Sequence, residues 1–158
     1  MVGDYSMQLV IYPDKRLSII CKQCDKKSKQ DREKVAKEMW ELMRKHHGIG
    51  LSAPQVGMDT RMFVWKQDRM NHAIWNPRLE EVSGSFKSTE GCLSLPGVLA
   101  TVTRGKKSFL IGESSSGKEI RFMGDALMTS VWQHEIDHLD GILIIDRESE
   151  ENKNKSKI

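Results

Sequence analysis

His134 and His138, in the run Gln133-His134-Glu135-Ile136-Asp137-His138, are four residues apart and flank a glutamate. Such a pair meets at one point only on a helix, where residues i and i+4 share a face about 6 Å apart along the axis. Asp125 is a good N-cap and Gly141 a good terminator, so the spacing predicts a helix from Asp125 to about Leu139. Two imidazoles on one face can reach a single ion. Glu135, about 100° further round the helix, stays free to take and return a proton. This pattern in a capped helix points to metal-assisted hydrolysis. The alternative is a chance match, with both histidines at the helix surface or core edge.

Two histidines are too few to hold a catalytic ion, so the third ligand decides the class. The metzincin pattern puts a third histidine six residues after His138, where this chain has Ile144. The late acids Glu148, Glu150 and Glu151 lie in a polar stretch with no predicted helix to present them. The ligand is therefore sought upstream. Cys92 is the best candidate, because Gly91 before it lets backbone approach closely, although an inert buried thiol is the alternative reading. Cys21-x-x-Cys24 is the rival, which with the two histidines would close a structural zinc module and leave no position for water. It stands among lysines, roughly 110 residues before the histidines, so free thiols, solvated or half-buried, are expected there.

The rest of the chain reads as α+β in one catalytic domain, residues 1–146, followed by a polar, frayed tail at 147–158. A short strand is expected at 8–12, and an amphipathic helix from Asp31 to His47, stopped by Gly48, with Val35, Met39, Leu42, Met43 and His46 inward. That leaves Arg32, Lys34, Lys37 and Glu41 for water. Further strands are expected at Arg61–Trp65, His72–Trp75, Leu79–Val82, Lys107–Ile111 and Glu119–Phe122, with Ser114–Gly117 as the last hairpin turn. A final apolar run, Ile142–Ile145, reads as a strand or core anchor. The three cysteines, an odd number, and the absence of a secretory pattern at the first residues predict a reducing, cytoplasmic setting. No run approaches the ~18–20 apolar residues of a membrane span. The net charge of +3 is spread along the chain, so no dedicated nucleic-acid face is expected.

Three segments, Gly48-Ile49-Gly50-Leu51-Ser52-Ala53-Pro54-Gln55, Glu90-Gly91-Cys92-Leu93-Ser94 and Gln133–His138, together resemble the peptide deformylases. Members of that family remove the formyl group from the N-terminal formylmethionine of new polypeptides. The resemblance runs from about Gln8 to Asp146 and implies antiparallel sheets around a central metal-binding helix. It implies that Cys92, His134 and His138 hold the metal and that Glu135 is general base and acid. Gln55 and the Leu93 N–H would face the developing oxyanion. Ile49, Gly50 and Gly91 would bind the extended peptide, and Val131 would line the methionine pocket, with core packing as the equal alternative. Fe(II) is the implied native ion, with zinc, nickel or cobalt able to serve, and a monomer acting on nascent formylmethionyl peptides is expected. The chain departs from the family at Ser52, commonly alanine, at Leu99, where many bacterial members carry arginine, and in stopping soon after Asp146 without a C-terminal helix. Lys153, Lys155 and Lys157 read as solvated tail, with a weak ribosome contact as the alternative.

Overall fold

The computed structural model describes residues 7–25 and 27–155. Its elements in chain order are α1 (Lys29–Lys45), β1 (Gly50–Ser52), β2 (Met62–Gln67), β3 (Met70–Ser83), β4 (Phe86–Cys92), β5 (Leu95–Arg104), β6 (Lys107–Glu113), β7 (Glu119–Gly124), α2 (Ala126–Leu139) and α3 (Ile144–Lys155). The strands form a five-stranded sheet, ordered β1-β2-β3-β6-β7, and a separate β4-β5 hairpin. All pairings are antiparallel, which makes the fold α+β.

Strand β2 explains how the layers stack. Successive side chains on a strand point to opposite faces, and Met62–Trp65 are all buried because both faces are covered. Met62 and Val64 pack with Ala36, Met39, Leu42 and Met43 of α1. Phe63 and Trp65 pack on the other side with Met128, Val131, Trp132 and Leu139 of α2. The sheet thus lies between an amphipathic helix and the helix carrying the two histidines. Asp125 caps α2 as expected, its carboxylate accepting the Met128 N–H at 2.9 Å.

Several expectations change. Residues 8–12 form no strand: Val10 N–H donates to the Gln55 carbonyl (2.7 Å) and Tyr12 N–H to the Ser94 carbonyl (2.9 Å). The segments at 72–75 and 79–82 are one strand, β3, kinked where Asn76 takes φ 49° and the pairing register slips between Trp75 and Arg78. Asn76 is held there by its side chain, which accepts from Cys24 N–H (2.7 Å) and donates to Glu113 (2.8 Å). Arg32 is buried: it pairs with Glu113 at 3.2 Å and lies 5.3 Å over the Trp75 ring. His46 is exposed, as the helix already ends at Lys45. Cys21 and Cys24 are buried, 4% and 5% exposed, and sit in the two different core clusters, so they do not form a joint site.

The largest correction concerns the C-terminus. The stretch from Ile142 is neither strand nor frayed tail; α3 begins at Ile144, with the Asp146 carboxylate accepting the Leu143 N–H at 2.8 Å. Glu148 accepts the Thr101 N–H (2.7 Å) and Glu151 the Thr103 N–H, so α3 carboxylates bind backbone of β5. Lys153 and Lys155 fall within α3, and Lys157 lies outside the described residues.

Gly124 sets the seat of α2 on β7. A Cβ there would fall 2.4 Å from Cζ3 of the fully buried Trp132. Gly124→Ala is expected to destabilise the protein by about 1–3 kcal/mol through overpacking. Urea unfolding checks this; an unchanged midpoint would show that α2 is free to shift.

Candidate metal centre

Cys92 is the last residue of β4. The two-residue turn Leu93-Ser94 follows it, and Cys92 pairs with Leu95 across that turn. This delivers the thiol to the turn end of the hairpin, beside His134 and His138 of α2. Cys92 Sγ lies 3.4 Å from His138 Nε2, and His138 Nε2 lies 3.2 Å from His134 Nε2. The three ligand atoms lie within 4.8 Å of one another, and among the described residues this is the cluster with metal-ligand composition. Two imidazole nitrogens and one sulfur match the donors of a catalytic divalent ion with a position left open.

His134 is oriented from behind. Glu90, two residues before Cys92, meets His134 Nδ1 at 3.0 Å. A carboxylate only accepts, so it fixes a proton on Nδ1 and turns Nε2 toward the cluster, where that nitrogen would be the one to bind an ion once it loses its own proton. Arg104 grips Glu90 with two bonds (Nε–Oε2 3.0 Å, Nη2–Oε1 2.8 Å) and holds Asp137 Oδ2 at 2.6 Å with its third nitrogen. Burial raises the Glu90 pKa, but His134 and Arg104 overcome it and hold the carboxyl at about 2. Burial lowers the His134 pKa, yet its bonds to Cys92 and Glu90 and the nearby Glu135 lift it to about 10. His138 moves the other way, driven down by burial and then by His134. The surroundings therefore draw positive charge into the cluster, which suits a cation.

Glu135 follows His134 on α2 and is 3% exposed. Burial pushes its pKa up to about 7, the His134 charge opposing. Its Oε2 has no hydrogen-bond partner among the described residues. Gly50 leaves it room: a Cβ there would fall 2.7 Å from Glu135 Oε1 and 3.2 Å from Val131. Gln55 is buried in a 3-10 turn after β1. Its Oε1 accepts from the Ser52 N–H and hydroxyl, both at 3.0 Å. That turns Nε2 outward, to 3.5 Å from Cys92 Sγ and 3.2 Å from Ser94 Oγ. Ser52, the departure from alanine, thus contributes a hydroxyl bond that alanine would lack.

Every residue to which the family resemblance assigns a catalytic, metal or substrate role, save His138, lines one cavity of about 730 Å³. His138 is 1% exposed and touches the lining residues Cys92 and His134 at 3.4 and 3.2 Å. Leu99, at the mouth, is 73% exposed. The sequence reading gave no role to Glu90, Arg104 or Asp137. Glu90 and Asp137 lie inside quoted motifs; Arg104 is a strand residue with no local signal.

Known proteins can now be set beside this geometry. The chain matches the polypeptide deformylase family across residues 6–154. It is 38% identical over 152 residues to a peptide deformylase of Borreliella burgdorferi, covering 94% of this chain and 92% of that one. Among solved structures, the peptide deformylase of Thermotoga maritima superposes with a TM-score of 0.86 at 31% identity, covering 90% of this chain and 97% of that one. A probable peptide deformylase from Synechococcus phage S-SSM7 gives 0.84 at 32% identity, over 90% and 99%. With its sequence matched nearly end to end and its fold shared, this chain belongs to the polypeptide deformylase family.

Proposed function

We propose that Cys92, His134 and His138 hold one divalent ion, natively Fe(II), and that residues 1–146 form one catalytic unit around it. Zinc, nickel or cobalt would also be accepted. The family is metal-dependent and hydrolyses the formyl group from N-terminal formylmethionine of new polypeptides, and that is the reaction of this chain. The convergence of one sulfur and two nitrogens within 4.8 Å carries the ligand assignment. When bound, the ion supplies Lewis acidity, polarising the formyl carbonyl and making a water more acidic.

The remaining steps belong to the protein. Glu135, with a pKa near neutrality, takes the proton of the attacking water and returns it to the departing amine nitrogen. Gln55 Nε2, turned outward by Ser52, donates to the oxygen that becomes negative as the carbon turns tetrahedral, and the Leu93 N–H donates beside it. Val131 gives the methionine side chain an apolar wall, and the backbone at Ile49, Gly50 and Gly91 pairs with the extended peptide along the cavity. The reaction calls for a linear chain end and no membrane; among the described residues no helix is long and apolar enough to cross one.

Formate release from formyl-Met-Ala-Ser by anaerobically purified, iron- or nickel-loaded protein tests the activity. Gln55→Ala should keep its metal while kcat falls about 10²–10³-fold. Cys92→Ala should lose the metal. Metal retained by Cys92→Ala at parental level, or cleavage of internal peptide bonds without formate, would sink the assignment.

Burial of Glu135 also sets a pH dependence. Its folded pKa of about 7 lies above the ordinary 4.5, so between those values the native state binds more protons than the unfolded one. Its contribution to stability is greatest below 4.5 and is lost as pH rises to 7. In chelator-treated protein, Glu135→Gln should be the more stable form at pH 7.5, with the advantage shrinking toward pH 4.5. Parallel stability curves for parent and variant would contradict the raised pKa.

A further inference from the structure

We infer that Arg147, on α3 and outside the cavity, is a positioning residue for the ligand His134. It acts through Asp137, Arg104 and Glu90. This rests on the ligand assignment proposed above.

The groups form an unbroken chain of charge-assisted bonds. Arg147 holds Asp137 with two nitrogens, Nη2–Oδ1 at 2.7 Å and Nε–Oδ2 at 3.1 Å. Asp137 Oδ2 holds Arg104 Nη1 at 2.6 Å, Arg104 grips both oxygens of Glu90, and Glu90 Oε1 meets His134 Nδ1 at 3.0 Å. The side chains of Arg104, Glu90 and Asp137 are only 3%, 10% and 10% exposed, whereas Arg147 is 38% exposed. Arg147 is thus the solvent end of a series whose other end is a metal ligand.

Charge balance gives the series its effect. Glu90 and Asp137 are two buried carboxylates, and Arg104 is one cation lying between them. With Arg147 the set is neutral, so Asp137 is satisfied without drawing Arg104 away from its two-bond hold on Glu90. Without Arg147, one buried negative charge is uncompensated, which a low-dielectric interior disfavours strongly. Arg104 is then pulled toward Asp137, Glu90 loosens, and the His134 ring loses the bond that fixes its proton and its plane. Partners one bond removed from a ligand commonly change metal affinity 10–100-fold; Arg147 acts from further out, so an effect near the lower end is expected. Of the other α3 groups, Glu150 lies 3.9 Å from Arg147 Nη1 but is 71% exposed, so water screens it from the buried set. Glu148 and Glu151 bind β5 backbone, and Glu151 also binds Lys87 at 2.9 Å.

The test is the rate at which nickel-loaded protein gives up its metal to a chromogenic chelator, measured with thermal unfolding. Arg147→Ala should release metal about tenfold faster than the parent, with Arg147→Lys intermediate. Should Arg147→Ala fail to fold, Arg147→Gln, which keeps one hydrogen bond without charge, should also release faster. Glu151→Gln loosens α3 from β5 and should lower Tm while leaving the release rate unchanged. In a Glu90→Gln background, Arg147→Ala should add nothing, because the connection is already cut. Parental release from the folded Arg147 variants, multiplicative effects in the double variant, or faster release from Glu151→Gln would each overturn the inference. Failure of the parent itself to retain nickel would instead overturn the ligand assignment.

Discussion

Arg104 reaches Glu90 on one side and Asp137 on the other, and those two residues belong to the two pieces of chain that meet at the cluster. Glu90 is on β4, two residues before Cys92; Asp137 is on α2, between His134 and His138 in sequence. The β4-β5 hairpin is not hydrogen-bonded into the five-stranded sheet. The guanidinium therefore ties the thiol's arm to the imidazoles' helix. Buried ion pairs gain little over apolar packing, but removing one partner typically costs about 3–5 kcal/mol because a charge is stranded. That asymmetry makes the join hard to slip by small steps.

The same cluster explains why neighbouring groups on one helix turn titrate so differently. His134 and His138 have ring centroids 5.0 Å apart, too close for both to carry charge comfortably in a buried site. Glu90 and the Cys92 sulfur face His134, so positive charge settles there, and His138 is driven well below its ordinary range. Glu135 lies beside them without a partner for Oε2 and is pushed toward neutrality by burial. A divalent ion, if held by all three proposed ligand atoms, would resolve this crowding, since neutral nitrogens and a thiolate all gain from one cation.

Legibility in the sequence followed the range of the interactions. The helix of His134 and His138 was readable because its cap, stop and spacing are all local, and Asp125 and Gly141 act as read. Cys92 was reached through chemistry and family resemblance together. Strand β4 was missed because Phe86-Lys87-Ser88-Thr89-Glu90-Gly91-Cys92 has no apolar face, and β5 because Pro96 and Gly97 interrupt its start, although Ala100 and Val102 alternate inward further along. Helix α3 was missed for a related reason. Its apolar anchor is confined to Ile144 and Ile145 at the start; the largely charged remainder docks through Arg147, Glu148 and Glu151 onto Asp137 and β5. Periodicity detects faces buried by the hydrophobic effect; it is blind to a helix docked through carboxylates and a guanidinium.

Gln55 shows how far local chemistry can fix the direction of an amide side chain. An amide side chain can rotate to exchange its oxygen and nitrogen, and only its neighbours decide which way it faces. Here the Ser52 backbone N–H can only donate, so it selects the oxygen, and the Ser52 hydroxyl donates to the same atom. The Gln55 carbonyl is meanwhile held by the Val10 N–H, so the backbone beneath the side chain is fixed as well. Reversing the amide would set Nε2 against the Ser52 N–H in a site that is almost fully buried. Donors aimed in advance at the place where charge develops need no reorganisation during reaction, which is the larger part of their value. The serine at position 52, which looked like a minor departure from alanine, is therefore part of what aims the glutamine.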